Sequence, residues 1–178
     1  MKEALLPSIA LAVFWSTAAV PPIVGPDDQP VVVTERPEAR RVDVSIDGRP
    51  FTSYIYPTSL EKPVLYPIQS ARGTLVTRGF PLEPRPGERT DHPHHVGHWF
   101  NYGDVNGYDF WGHSSATPAE NLPKMGTILH KEVTRAAGGP EQGELAVRAD
   151  WVVPVVSRRG MVSVWPRAST KVDGSVVG

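Results

Sequence analysis

Between Asp91 and His113 the chain reads DHPHHVGHWFNYGDVNGYDFWGH and holds five of its six histidines, with three aspartates, two tryptophans and two tyrosines. Imidazoles and carboxylates bind metals and move protons near neutral pH. Flat aromatics beside polar groups also suit a sugar-like ligand, stacking on its C–H faces while the polar groups take its hydroxyls. No other stretch concentrates comparable chemistry.

Two chemical readings follow from the spacing. His92 and His94 are two apart, so an extended backbone projects both imidazoles to one side and His95 to the other. With His98 as a third donor, His92 and His94 are candidate ligands for a divalent metal such as Zn, Fe or Mn. Cupin-type sites begin with the same H-x-H but add a Glu a few residues later, and no Glu occurs between Arg89 and Ala119. In the other reading His92, His94 and His95 are acid/base or polar contacts to a carbohydrate. Asp109 and Trp111 then form the pocket wall, and Asp104, Asn106 and Arg78 are further substrate contacts. Each has a plainer alternative. The histidines can shape a loop by bonding Asp91, Asp104 and Asp109, the tryptophans can be core, Asp104 and Asn106 can be turn residues, and arginines can simply be solvated.

Other chemistries find no support. Ser114 and Ser115 follow His113 without a Gly-x-Ser-x-Gly elbow. The absence of cysteine excludes disulfides, thiolate zinc sites and a cysteine nucleophile. With 18 Lys plus Arg against 19 Asp plus Glu, no net field favours nucleic acid or an anionic membrane. No phosphate-cradling glycine loop is present.

The elements that must position the cluster are strands. Its 178 residues suit one domain of ordinary size, and 19 prolines with 16 glycines argue against long helices. Val42, Val44 and Ile46 alternate with polar residues, Asp47-Gly48 supplies a primed turn, and Phe51 to Tyr56 returns. Val64 to Ile68 reads as an edge strand because Pro63 and Pro67 lack amide donors, and Gly73 to Arg78 as a short strand. The proline-rich stretch Phe80 to Thr90 reads as an ordered loop. Val96–Tyr102 and Tyr108–His113 are expected to pair as a hairpin across Asn106-Gly107. Met125 to Arg135 and Glu144 to Val153 make two more strands. In the second, Leu145, Val147, Ala149, Trp151 and Val153 share a face.

At the N-terminus Lys2 precedes an apolar run from Ala4 to Val20 that ends in small residues. This predicts an export signal over residues 1–19 and a periplasmic or secreted protein, with no membrane span after cleavage. Residues 20–39 read as linker and first strand, 40–154 as the main domain and 155–178 as a divergent tail.

The run DHPHHVGHWFNYGDVNGYDFW, with FTSYIYPTSLEKPVLYPIQSARGTLVTRGFPLEPRPGER before it, closely resembles the bacterial PmoA-like family, a domain of unknown function, from about Val42 to Trp151. The resemblance implies an all-β antiparallel sandwich similar to the galactose-mutarotase-like supersandwich. In that analogy a histidine protonates the ring oxygen and a carboxylate removes the anomeric proton. The family label carries a second implication, a metal-dependent oxygenase. Membrane-embedded oxygenase subunits need several apolar spans of about 20 residues, and this chain has one candidate, at its N-terminus. A non-catalytic interaction module or inactive fragment is the third reading. Relatives continue for about as long again, and the pattern fades after Pro154. The expectation is therefore an incomplete sandwich from an interrupted reading frame, or else a genuine short member. Residues beyond Pro154 are expected to be irregular or weakly packed.

Overall fold

The computed structural model describes residues 30–154 and the strand at 169–177. The apolar N-terminal run and most of the linker lie outside the described residues.

Period-two patterning becomes two antiparallel sheets. The first has the order β1 (Val31–Arg36), β2 (Arg41–Ile46), β3 (Arg49–Ile55) and β4 (Val64–Leu65). The β2–β3 connection is the expected tight turn, with Asp47 at φ 50° and Gly48 at φ 71°, the primed geometry whose twist suits a hairpin. Val42 pairs with Tyr54 and Val44 with Thr52, and a bulge follows at Val44/Ser45. Val42 is fully buried and Thr52 and Tyr54 nearly so. β4 is an edge strand, but only two residues of the expected run pair, since Pro63 and Pro67 flank it without amide donors.

The second sheet has the order β5 (Thr127–Ala137), β6 (Gln142–Val152) and β7 (Ser169–Val177). Two register shifts, between His130 and Glu132 and between Val133 and Arg135, bulge β5 against β6. The fold is thus an all-β sandwich built from antiparallel sheets. The sheets meet at one corner, where Val31 and Gly139 exchange both backbone bonds at 3.1 and 3.0 Å. At another, Ile128 N donates to the Glu61 carbonyl at 2.9 Å and the Tyr54 hydroxyl meets His130 Nδ1 at 3.1 Å.

Three expectations need correction. Gly73–Arg78 is no strand. Gln69 and Leu75 make one isolated bridge, and Leu75 and Val76 stay exposed, so no face of that segment is buried to reward a ladder. The extended hairpin of Val96–Tyr102 with Tyr108–His113 shrinks to its turn. Asn106 (φ 54°) and Gly107 (φ 84°) adopt the expected conformation, and Val105 pairs with Tyr108. Beyond that, Phe110 N reaches the Tyr102 carbonyl at 3.1 Å, while His98 pairs with Leu65 and Asp109 with Met125. The backbone groups on each side are claimed by other elements. Finally, Ser169–Val177 is not irregular. Its β-branched residues Thr170, Val172, Val176 and Val177 suit a strand, and it pairs in continuous register along β6 from Gln142 to Asp150. Residues 155–168 lie outside the described residues.

Candidate functional site

The histidine loop is held from below by Arg78. Its guanidinium donates to the carbonyls of Phe80 (3.0 Å), Asp91 and His92 (3.2 Å) and lies 3.6 Å from the Asp91 carboxylate. Arg78 therefore fixes the entry to the loop, and its donors face protein instead of an open pocket. The preceding proline-rich loop is ordered in the same way. The Glu88 carboxylate accepts from the Gly79 amide (2.9 and 2.8 Å) and the Phe80 amide (3.1 Å). Those amide bonds, with the charge of Arg85, hold its pKa below the ordinary carboxylate value.

At the loop's apex the three imidazoles converge. His92 and His95 stack with ring centroids 4.9 Å apart, and His94 meets His95 edge-on at 4.4 Å. Trp111 completes the group, 5.1 Å from His94 and 5.8 Å from His95. His92 Nδ1 donates to Asp91 Oδ2 at 3.0 Å. Partial desolvation opposes ionisation of Asp91, but that bond and the charges of Arg89, His92 and Arg78 outweigh it and lower its pKa. Of the three imidazoles, His92 is thus the one in hydrogen-bond contact with a carboxylate. His94 and His95 find aromatic neighbours.

Asp109 sets the position of Trp111. Its Oδ1 accepts from the amides of Trp111 (2.7 Å) and Gly112 (2.8 Å), closing an Asx turn. Gly112 is required there, because a Cβ would lie 2.6 Å from Asp109 Oδ2. The Asp109 backbone is itself clamped, donating to the Lys124 carbonyl and accepting from the Gly126 amide at 2.8 Å each. The indole so presented is 46% exposed. Asp104 and Asn106 are exposed turn residues on the same loop, and Asp104 Oδ1 caps the Gly107 amide at 2.8 Å.

Sequence reasoning missed Lys62. It is 2% exposed, the largest of the fully buried side chains. Its ammonium donates to the His113 carbonyl at 2.8 Å and sits 4.3 Å from the centroid of the Trp99 ring. Burial lowers its pKa to about 8, against the pull of the Glu61 and Asp109 carboxylates. His94 feels the same surroundings. Desolvation lowers its pKa first, then the neighbouring His95, His92 and Lys62, while Asp109 opposes them. Near pH 7 His94 is therefore a neutral imidazole, able to accept a proton. No pattern in LEKPV marks Lys62, since a lone lysine between Glu and Pro reads as a solvated loop cation. His113 closes the histidine-rich run in the sequence. It is structural, with Nδ1 donating to the Gly126 carbonyl at 2.9 Å.

The metal set His92, His94 and His98 does not assemble. The His98 backbone pairs with Leu65 on both sides, and His98 lines the space between the sheets with Trp99 and Asn101. That backbone ladder draws it away from the stacked pair. Among the described residues no group of three His, Asp or Glu is placed to hold a metal ion. Nor, among them, is any helix long and apolar enough to cross a membrane.

Fold and site together define an all-β antiparallel protein that carries an aromatic–imidazole loop beside a buried lysine. The chain belongs to a family of unknown function, DUF6807, whose match covers residues 41–164. The match runs past Pro154, where the pattern was expected to fade. No curated protein and no solved structure matches the chain.

Proposed function

We propose that this is an exported protein that binds, and acts on, a carbohydrate at the Trp111–histidine face. The observation that carries the reading is the half-exposed Trp111 indole, walled by His94 and His95 and pinned by Asp109. An indole held with one face free stacks on the C–H side of a pyranose, and the flanking ring nitrogens reach its hydroxyls. His94, kept neutral, takes the proton of the anomeric hydroxyl, and the imidazolium gives it to the ring oxygen as the C1–O5 bond breaks; the reverse transfer closes the ring on the other face, with His92 and His95 as polar contacts. Mutarotation of an aldose is the reaction class that needs no more than this. Fold analogy contributes only a prior. The export component rests on Lys2 and the apolar run that follows it.

The test is tryptophan fluorescence and calorimetry of the full chain against neutral and uronic mono- and oligosaccharides, with polarimetry for anomer exchange. Binding should quench Trp111 and fall more than tenfold in Trp111→Ala. His94→Ala should retain binding and lose exchange. Absence of any sugar binding would refute the reading. Tight Zn or Fe binding through His92 and His94 would favour the oxidoreductase alternative, and neither result would leave the interaction module.

A further inference from the structure

Five of the six histidines belong to the run that ends at His113, and the sixth, His130, lies apart on β5. The proposed sugar chemistry does not use it. His130 stands where the two sheets meet. The register shift after it leaves Lys131 as an extra residue, so that His130 pairs with Ala149 and Glu132 with Arg148. Bulges of this kind re-aim side chains, and here the imidazole crosses from the second sheet to β3 of the first. Its Nδ1 lies 3.1 Å from the Tyr54 hydroxyl. The Tyr56 ring stacks on it, with centroids 3.8 Å apart and planes inclined by 24°.

The contact suits a neutral imidazole. Tyr54 is 9% exposed, and among the described residues His130 Nδ1 is the partner of its hydroxyl. The Nε2–H tautomer satisfies this hydroxyl, because Nδ1 then accepts from it. Protonation would place a hydrogen on Nδ1 and leave the Tyr54 proton without an acceptor. The phenol cannot shed that proton instead, since burial, with Tyr56 beside it, holds its pKa above the ordinary value. A charge on His130 would also lack a counter-ion. On its own strand Glu132 is taken by Arg148 at 2.6 Å and Lys131 by Asp150 at 3.6 Å. Those same Arg148 and Asp150 flank Ala149 on β6, while β3 presents the two tyrosines and β2 the apolar Val42 opposite Tyr54. Among the described residues, the imidazoles in contact with a carboxylate are His92 and His113. Desolvation accordingly lowers the His130 pKa, and the Glu132 charge opposes it only in part.

We propose that His130 is a proton-operated latch between the two sheets, closed on Tyr54 and Tyr56 when neutral and released when protonated. Histidine contacts across an interface convert a pH step into movement in this way. The folded pKa is depressed below 6.5, so the latch stabilises the fold above that pH and is lost as pH falls toward the folded value. The corner at Val31 and Gly139 is closed by two backbone bonds, which do not titrate. Mild acid therefore loosens the His130 end of the sandwich ahead of global unfolding. The latch shares no side chain with the sugar-binding face and stands whether or not that reading does.

The experiment is amide hydrogen exchange of the full chain at about pH 7.5 and about pH 5, corrected for the intrinsic rate at each pH. The Ile128 amide, bonded to the Glu61 carbonyl at the latch end, should lose about fivefold or more in protection at the lower pH. The Val31 amide at the other corner should keep its protection. In His130→Gln, whose side-chain carbonyl accepts from Tyr54 and does not titrate, Ile128 should be equally protected at both pH values. His130→Phe takes its place if circular dichroism shows the first unfolded. In the wild type, a long-range nitrogen–proton NMR spectrum should show Nδ1 unprotonated at neutral pH and a His130 pKa below 6.5. Unchanged protection of Ile128 in the wild type would overturn the proposal, as would a loss at Ile128 and Val31 together. A loss at Ile128 that persists in the variant would belong to Glu61 or His113 at the same corner and would overturn it too. So would a His130 that titrates at or above the ordinary value.

Discussion

Replacing Lys62 by Met keeps the length of the side chain and removes the buried charge. A fall in pKa from 10.5 to about 8 means the fold penalises the ammonium by about 3 kcal/mol relative to the neutral amine, at about 1.4 kcal/mol per pKa unit. The folded pKa is depressed, so the unfolded chain binds this proton more tightly. Stability carried by Lys62 is therefore present above pH 10.5 and lost as pH falls through 8. At pH 7 the substitution relieves that penalty but orphans the His113 carbonyl, which costs about 1–3 kcal/mol, and removes the cation from the Trp99 ring, about 0.5–2 kcal/mol. The net change at pH 7 should thus be small. Its pH dependence should not be. Urea unfolding of both proteins from pH 7 to 10 should show wild type gaining on Lys62→Met by about 1 kcal/mol at pH 9 and about 2–3 kcal/mol at pH 10. Other titrating groups are common to both chains and cancel in the difference. A difference that stays flat from pH 7 to 10 would show that Lys62 is solvated, and the account of the buried cation would be wrong.

His94 should titrate below the usual histidine value in a long-range nitrogen–proton NMR experiment, because desolvation and its cationic neighbours disfavour protonation. Its contribution to stability is present above about pH 6.5 and lost as pH falls toward the folded pKa. Asp109→Asn removes the one opposing carboxylate and should lower the His94 pKa further; a rise would contradict the electrostatics described above. Among the turns, Gly107→Ala meets only the positive-φ penalty, with open space around the new Cβ, and should cost about 1–2 kcal/mol in urea unfolding. Gly97→Ala meets that penalty (φ 51°) and places a Cβ 2.4 Å from the Leu65 carbonyl oxygen. It should cost at least about 3 kcal/mol once overpacking is added, and similar values for the two would show that the Leu65–His98 bridge yields freely.

Strands with one buried face were legible because burial imposes period two. Val42, Val44 and Ile46 face Thr52 and Tyr54 in the anticipated hairpin, and Leu145, Val147, Ala149 and Trp151 line one wall as their alternation predicts. The stretch from Gly73 to Trp111 was legible only at its turns. There the backbone is organised by side-chain anchors, Arg78 on carbonyls, Glu88 on amides and Asp109 on the Trp111 turn, and such pairings leave no periodic trace. Alternation at His98–Tyr102 and Tyr108–Trp111 suggested a ladder, but His98 and Asp109 bond elsewhere. The crowding of histidines correctly marked where imidazoles gather. It did not reveal that His98 belongs to the other side of the loop, nor that a lysine some thirty residues earlier lies beneath.

That lysine makes the site and the sandwich interdependent. Glu61 accepts from the Ile128 amide at the sheet junction, and Lys62, next in sequence, bonds the His113 carbonyl at the far end of the histidine loop. Pro63 and Val64 then lead into β4, whose Leu65 holds His98. Five consecutive residues thus fasten both sheets and both ends of the loop, while Phe110 packs on Ile128 and Ala149 between them. A buried cation is a costly way to hold the His113 carbonyl, and an apolar residue could fill the same volume. What an apolar residue would lack is a positive charge beside Asp109 and His94. That charge favours neutral His94, the protonation state the proposed proton transfer requires.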